Sequence, residues 1–398
     1  MAESRKELIV GASVTEEAAY LCQNWRRQST EGNRSVARER ISDTRLWEGK
    51  RYWNLDWEGG YRMTDSFEAI EEADAVFLVG TYLRKEAALL NARVRKTLRN
   101  TECEVYWMGS PAPMNYPVTW SGMHPSHWMQ VLEGRHAWCE ALANAKNPWV
   151  LFGASLWERS GSSVWGVEQI QNHLPHVNVG YVHVGPNEVG LYHQGVDRTV
   201  SSEAEMVRGD TGPSHRMYVA PDRFQPEQEN SGRTIVATSH VPSNASELGQ
   251  SENTTYWPLA LWCEKTGTWR NMEGRGQPLV ASVKPYLEAK EEFSLLGTFF
   301  GRMGETWVRT KQEMMQAYQN DTPARYTGKV AGVQAGNYER PSWSGAPLRT
   351  WLDGFYQTDA VTSHSKILAS CTRTLEICPP SEAFQTNGTS FASIGENQ

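Results

Sequence analysis

Two histidine pairs, His124/His127 and His173/His176, have a spacing that could hold a metal. An i, i+3 separation can place two imidazoles on one helix face, and imidazole binds zinc, copper and iron. Pro125 and Pro175 stand inside the two pairs, so neither belongs to a regular helix interior, and no Glu or Cys follows at a companion spacing. They read as loop and surface histidines. Cys22, Cys103, Cys139, Cys263, Cys371 and Cys378 include no C-x2-C pair, so zinc or iron–sulfur ligation by this chain alone is not expected. Reduced thiols are expected in a core-forming chain without a secretory leader. The acidic pairs Glu71/Glu72 and Glu291/Glu292 are adjacent, point different ways on a helix and lack an apolar pocket to raise a pKa. They do not read as acid–base dyads.

Phosphate chemistry has as little support. A dinucleotide site needs G-x-G-x-x-G between a strand and a helix, so that backbone amides can approach a pyrophosphate. After Val79 the chain reads Gly80-Thr81-Tyr82-Leu83-Arg84, and after Phe152 it reads Gly153-Ala154-Ser155-Leu156-Trp157, with one glycine each. No G-x4-G-K-[ST] loop and no G-x-S-x-G elbow occurs. The expectation from residues alone is therefore that catalytic, cofactor-binding and metal-binding residues are none.

The elements around these positions follow one rhythm. Glu71–Asn100 opens with acidic residues, runs apolar from Ala75 to Val79 and breaks at Gly80-Thr81. Ala87, Leu90, Val94 and Leu98 then recur at helical steps, with Arg93, Arg95, Lys96 and Arg99 on other faces. A short apolar run predicts a buried strand, and the later spacing predicts an amphipathic helix. Strands are predicted at Val105–Met108, Trp149–Gly153, Arg216–Ala220 and Thr234–Ser239, with helices at Gln130–Ala145 and Ser163–Leu174. This alternation predicts an α/β fold with a doubly wound, mostly parallel sheet.

Near the N-terminus an apolar run, Leu8–Val14, precedes a helix start at Thr15-Glu16-Glu17. The segment Arg26–Arg51 is rich in arginine and reads either as a docking arm for an acidic partner or as a solvated loop with a frayed helix. From Tyr256 the pattern becomes strand, turn, strand, turn: Thr268–Asn271 extended, a break at Glu273–Gly276, then Leu279–Val283. Helices are predicted over Lys284–Gly304 and Thr306–Asn320, a loop-rich connector over Asp321–Pro347, and a surface tail, disordered without a partner, over Pro379–Gln398.

Composition narrows the classes further. With 398 residues and 39% apolar content the chain can bury a real core in two or three domains. A formal net charge of -7 gives no global attraction to nucleic acid or anionic membrane. No apolar run approaches the roughly 18 residues of a bilayer span. The 17 tryptophans are spread along the chain and read as core and interface packing rather than a carbohydrate platform.

Three segments carry a family resemblance. Glu72-Ala73-Asp74, Val79-Gly80-Thr81 and Glu86-Ala87 followed by Asn91-Ala92-Arg93-Val94-Arg95-Lys96 form the first. Glu264-Lys265-Thr266-Gly267-Thr268-Trp269-Arg270-Asn271-Met272-Glu273-Gly274-Arg275 is the second, and Phe355-Tyr356-Gln357-Thr358-Asp359 with Ser363, Ala369 and Cys371 the third. In this order they resemble the large, 75-kDa-type iron–sulfur subunit of respiratory complex I, whose second segment is shared with molybdopterin oxidoreductases. The resemblance implies sheets of the molybdopterin oxidoreductase type with an added β-hairpin region and a C-terminal extension. It also implies a separately encoded half without cofactors of its own, the 2Fe-2S and 4Fe-4S clusters lying in an N-terminal partner chain. Tyr82-Leu83-Arg84 stands where the family has Asn-Pro-Arg.

The implied organisation is a 1–60 extension or docking segment, a 61–255 Rossmann-like region, and a 256–305 hairpin and helix completing the core. A 306–378 helix and loop-rich segment and a 379–398 surface tail follow. The implied role is structural support within the matrix arm of mitochondrial complex I, on the matrix side of the inner membrane, among other matrix-arm subunits. No nucleic acid and no direct membrane span are expected. Two competitors remain, a molybdopterin-dependent, formate-dehydrogenase-like oxidoreductase fragment and a stand-alone tryptophan-rich binding module. Independent of the family, Gly267 and Gly274 suit turns that need positive φ or close backbone approach, and Glu264, Asn271 and Arg275 can bond such turns. That predicts a rigid hairpin.

Overall fold

The computed structural model describes residues 6–28, 33–37, 58–157, 162–196, 215–221, 233–240, 253–302, 313, 316, 318, 347–350, 362, 365–368, 370 and 384–386. In chain order the elements begin with β1 (Lys6–Val10), α1 (Glu16–Gln28), β2 (Asn33–Ala37), β3 (Ala75–Val79), α2 (Leu83–Glu86), α3 (Ala88–Asn100), β4 (Glu104–Met108) and β5 (Val118–Trp120). Then come α4 (Pro125–Leu132), α5 (Trp138–Asn144), β6 (Pro148–Gly153), α6 (Ala154–Trp157), α7 (Ser162–His173), β7 (Asn178–Val182) and α8 (Glu188–His193). The remainder are β8 (His215–Val219), β9 (Thr234–Thr238), β10 (Thr254–Pro258), β11 (Gly267–Arg270), β12 (Gly276–Leu279), α9 (Glu292–Arg302) and β13 (Phe384–Thr386).

The chain forms two compact units, each assembled from separate stretches of sequence. The first contains Met1–Ile41, Gly185–Thr327 and Asp359–Val361; the second contains Ser42–Val184, Gly328–Thr358 and Thr362–Gln398. The first unit holds a five-stranded sheet of order β10-β9-β8-β1-β2 and the two-stranded β11-β12 hairpin. The second holds a six-stranded sheet of order β13-β5-β4-β3-β6-β7. Every pairing within the two larger sheets is parallel. The α/β, mostly parallel architecture is the one predicted.

In the second unit every residue of β3, β6 and β7 is buried, the signature of strands covered on both faces. Helix α3 buries Leu90, Asn91, Val94 and Thr97, leaving its arginines and Lys96 outward. Phe77 stacks on Tyr106 at 4.6 Å, and Trp138 caps both rings. Trp107, Trp128, Trp138 and Trp149 are among the largest fully buried side chains, so tryptophan serves packing here. The first unit packs Ala18, Leu21, Cys22 and Trp25, one stripe of α1, against Phe293, Leu296 and Phe300 of α9. Trp25 and Phe300 stack at 5.6 Å. Burying each such aromatic or leucine is worth about 1.5–3 kcal/mol.

Several expectations are corrected. Residues 1–60 are not a mere extension, because β1 lies between β8 and β2 in the first sheet. The basic stretch from Arg26 contributes the end of α1 and the edge strand β2, while residues 38–57 lie outside the described residues. The 255/256 boundary falls inside β10, which pairs with β9 from Thr254↔Thr234 to Pro258↔Thr238. One helix over Gln130–Ala145 is instead α4 and α5, separated at Gly134, whose φ of +72° ends the first helix in the left-handed region. The second hairpin strand is Gly276–Leu279 rather than Leu279–Val283, because Gly274 N bonds Asn271 O and Asn271 N bonds Arg275 O, fixing the register.

The helix expected from Lys284 begins only at Glu292; Pro285 and the positive φ of Leu287 hold the preceding stretch out of helical geometry. The tail expected to be disordered supplies β13, parallel to β5. Strands β5 and β7 stand where none was predicted. The Thr306–Asn320 helix, the 321–347 connector and the Phe355–Asp359 motif fall largely or wholly outside the described residues.

Candidate functional site

Open parallel sheets bind ligands beyond the carboxyl ends of their strands, where the strand order reverses direction. In the second unit that point lies between β3 and β6, since the chain moves from β3 to β4 on one side and resumes at β6 on the other. In the first unit it lies between β1 and β8. Each crevice is followed by a helix start, the place where backbone amides receive an anion.

At the β3/β6 point the two strand ends touch. Gly80 turns at φ +68°, and a Cβ on Gly153 would sit 1.9 Å from the Gly80 carbonyl oxygen. Only glycine permits that approach. Ser155 Oγ donates to the same carbonyl at 2.7 Å, and Trp107 Nε1 donates to Thr81 O at 2.9 Å. The turn that follows is held by Glu86, which accepts from Thr81 Oγ at 2.6 Å and from Tyr82 N at 3.2 Å. Tyr82 stacks on Trp107, and both its hydroxyl and Arg84 Nη1 donate to Pro113 O at 2.6 Å. The bulky Tyr82-Leu83-Arg84 turn thus fastens the strand end to the neighbouring loop.

At the β1/β8 point a Cβ on Gly11 would lie 1.8 Å from the Ala220 carbonyl oxygen, and Gly11 N donates to Val219 O at 2.8 Å. Beyond it, Thr15 N donates to Glu292 Oε1 at 3.0 Å. Lys265 Nζ lies 2.6 Å from the same oxygen and donates to Ser13 O at 2.8 Å. Trp269 Nε1 also reaches Ser13 O, at 3.2 Å, beneath the Lys265 ammonium. Thr268 gives both its amide and its hydroxyl to Glu17, at 2.9 and 2.7 Å. Arg270 Nη2 pairs with Glu16 at 2.9 Å, and Gln194 Nε2 donates to that carboxylate at 3.0 Å. Asn187 links Val14 O to Arg270 N.

The β11-β12 hairpin therefore lies directly on the first turn of α1. Gly267 makes this fit possible: a Cβ there would meet Thr15 Cγ2 at 2.6 Å and Glu17 Oε2 at 2.8 Å. Glu264 and Asn271 bond the turns as predicted, through Leu261 N and Arg275 N. Arg275 pairs with Glu273, and Arg270 is the residue that reaches the Gly274 carbonyl.

Electrostatics keep these carboxylates structural. Glu16, Glu17 and Glu292 are all buried, with Glu16 and Glu17 at a helix N-terminus whose dipole favours negative charge. Burial pushes the Glu17 pKa up, against the pull of its Thr268 hydrogen bonds. The reading that Glu291/Glu292 lacks an apolar environment is corrected, because Glu292 is buried beside Phe293 and Leu296. Its role is to neutralise Lys265 and receive an amide. Glu71 is half-buried, and its pKa falls through Lys96 and Arg93.

The histidine pairs separate in function. Pro125 is the first residue of α4, so it starts the helix, and His124 caps it by accepting from Ser126 N at 3.2 Å. His127 lies in the first turn, near His136, whose Nε2 is 2.8 Å from Ser121 Oγ. Trp138 N donates to His136 Nδ1 at 3.1 Å, so neutral His136 carries its proton on Nε2 and is not placed as a base for Ser121. His173 ends α7, and His176 lies beyond it. Cys22, Cys103, Cys139 and Cys263 are free thiols; Cys371 and Cys378 lie outside the described residues. Burial raises the Cys103 pKa to about 12.

Residues 29–247 match the family model of the molybdopterin oxidoreductases. The chain is similar to the NADH dehydrogenase [ubiquinone] iron-sulfur protein 1, mitochondrial, of Solanum tuberosum, at 26% identity over 344 residues, 81% of this chain and 44% of the relative. It is also similar to the NADH-ubiquinone oxidoreductase 75 kDa subunit of Reclinomonas americana, at 24% over 253 residues, 61% of this chain and 36% of that one. The mitochondrial 78 kDa subunit of Neurospora crassa is 24% identical over 356 residues, 84% of this chain and 46% of the relative. The chain spans less than half the length of these curated relatives.

Proposed function

Because the chain belongs to the molybdopterin oxidoreductase family, we propose that it is a structural subunit of the peripheral, matrix-side arm of mitochondrial respiratory complex I. It supports electron transfer from NADH to ubiquinone without an active site of its own. The names of its relatives support the setting: NADH–ubiquinone oxidoreductase subunits, two of them named mitochondrial. Among the described residues no helix is long and apolar enough to cross a membrane, which suits a peripheral position.

The observation that carries the reading is the Thr15–Glu292–Lys265 contact. The family's pterin cofactor carries phosphate, and a phosphate group at such a crevice needs helix-start amides and close glycine approach. Here the Thr15 amide already bonds the chain's own carboxylate, and Glu86 places a second carboxylate on the other helix start. Gly11 and Gly153 spend their missing side chains on contacts with Ala220 and Gly80. These residues do not fit a phosphate-bearing cofactor, and no reaction step passes through one. The iron–sulfur clusters lie, on this reading, outside residues 1–398.

Purification of the respiratory assembly tests the proposal. The chain is expected in a complex I-sized band together with NADH:ubiquinone activity, with no stoichiometric molybdenum or tungsten. Either metal at one atom per chain would establish the molybdopterin-enzyme alternative instead. Truncating Glu264–Arg275 is expected to lower the amount of assembled enzyme while leaving turnover per assembled enzyme unchanged.

A further inference from the structure

Three carboxylates converge on the start of α1, and they are not equivalent. Glu16 is bound by Arg270 and Gln194, and Glu17 by the amide and hydroxyl of Thr268, so each has its own donors. Both belong to the first turn of α1, where an acidic side chain is ordinary. Glu292 is different. It reaches the Thr15 amide at 3.0 Å from 277 residues away, as the first residue of α9. A helix start normally finds its acceptor in its own flanking residues.

What receives Glu292 is held in place without it. Lys265 Nζ, 2.6 Å from Glu292 Oε1, also donates to Ser13 O at 2.8 Å and lies 5.7 Å from the centre of the Trp269 ring. Helix α9 is anchored separately, by Thr266 N on Glu291 Oε1 at 3.2 Å and by Phe293, Leu296 and Phe300 against α1. Donors and anion therefore come from different elements, each fixed on its own account, as a receptor and a ligand are. A second sign lies in the carboxylate itself. Oε1 takes both the amide and the ammonium, while the buried Oε2 has no hydrogen-bond partner among the described residues. Buried polar atoms are nearly always partnered, so a carboxylate engaged by one oxygen is seated for its charge rather than for a full set of bonds.

We propose that Thr15 N and Lys265 Nζ form a receptor for one small carboxylate anion, and that the Glu292 side chain is its resident, tethered ligand. The inference goes beyond the structural-subunit reading. That reading says the crevice does not suit a phosphate-bearing cofactor; this one names the anion class that the crevice takes.

Chemical rescue in the purified full chain tests it. Glu292→Ala removes a group the size of acetate and leaves the Lys265 ammonium buried, so the thermal midpoint should fall by roughly 10 °C. Sodium acetate at about 100 mM should restore at least half of that loss, relative to sodium chloride at the same concentration. Acetamide, equal in size and uncharged, should not. The double variant Lys265→Met, Glu292→Ala has no buried cation and should ignore acetate, as should the wild-type chain, whose receptor is filled. If Glu292→Ala does not fold in chloride, the refolded yield takes the place of the midpoint and should rise with acetate.

Acetate no better than chloride overturns the receptor. Acetamide as effective as acetate overturns it too, because filling space would then suffice, and so does an equal acetate response in the wild type or the double variant. Inorganic phosphate outperforming acetate on Glu292→Ala overturns the carboxylate class. Each of these failures leaves the structural-subunit reading standing; that reading falls instead on molybdenum or tungsten bound at one atom per wild-type chain.

Discussion

The two strand-end crevices reach the same closed state by different means. In the second unit Glu86 holds the turn from five residues beyond Thr81, so the contact forms with the first helical turn itself. In the first unit Glu292 arrives from 277 residues beyond Thr15, with Lys265 beside it. A local contact costs little chain entropy, whereas a remote one exists only after the unit has folded around it. The remote carboxylate is also almost fully buried, and a buried charge persists only with a partner. The Lys265 side chain is 4% exposed and that of Glu292 1%. The β3/β6 closure is therefore a property of its own helix, and the β1/β8 closure is a property of the assembled unit.

The comparison breaks most sharply at Lys265. Lys265→Met leaves Glu292 buried without its cation and is expected to destabilise the first unit by about 3–5 kcal/mol. Hydrogen exchange should show the loss at the amides of α1 and β11, with the second unit unaffected. The double variant Lys265→Met, Glu292→Leu should cost less than the sum of the two single ones, because no unpaired charge remains. Equal loss of protection in both units would mean that the two closures are not independent.

The glycine contacts come next, and here the units should behave alike. Gly11→Ala and Gly153→Ala each drive a Cβ into a backbone carbonyl, at 1.8 and 1.9 Å, which forces strand ends apart. Each should cost about 1–3 kcal/mol, read as a lower unfolding midpoint. If alanine at Gly153 is neutral, the close approach is not what holds β3 against β6.

A smaller effect is expected from Glu86→Ala, about 1–3 kcal/mol for leaving the Thr81 hydroxyl and Tyr82 amide without that acceptor. Glu86→Gln keeps one carbonyl acceptor and should recover most of it. That recovery distinguishes a hydrogen-bonding role from a charge role, and the corresponding Glu292→Gln should recover less because Lys265 then loses its counter-charge.

What the sequence disclosed follows the same division between local and remote. Strands β3 and β6 were legible because they are short apolar runs covered on both faces, and β4 because Val105, Trp107 and Met108 form such a run with one more open face. Strand β2, Asn33-Arg34-Ser35-Val36-Ala37, was hidden because its composition is polar and its pairing with β1 is supplied by tertiary structure. The apolar Leu279–Val283 suggested a strand three residues too late, since Val280 and Val283 are exposed rather than paired in the sheet. The hairpin itself was legible from Gly274, Glu264 and Asn271, whose contacts lie within a few residues, whereas the close approach at Gly267 is to the remote Thr15 and Glu17. The Glu292–Thr15 bond had no local pattern to betray it. The one available signal was Lys265, a lysine inside a turn-forming block with an apolar run before it.

The smallest expected effect separates the units by pH. Glu17 of the first unit has a pKa raised above its ordinary 4.5 by burial and, to a lesser extent, by Glu16. The folded state then binds its proton more tightly than the unfolded one, so its contribution is present at low pH and is lost as pH rises through the folded value. His127 and His136 of the second unit have pKa values lowered from 6.5, chiefly by burial and then by the neighbouring His124 and His127 respectively. Their contribution is present above pH 6.5 and is lost as pH falls toward the folded values. Protonating His136 on Nδ1 also removes the acceptor that Trp138 N uses at the start of α5. Protection of α4 and α5 amides should therefore rise with pH between about pH 5 and pH 8, while Glu17 makes protection of α1 decline from about pH 4.5 upward. His136→Gln should flatten the first slope and leave the second unchanged. Parallel slopes in the two units, or a His136→Gln variant with an unaltered profile, would show that titration does not distinguish them.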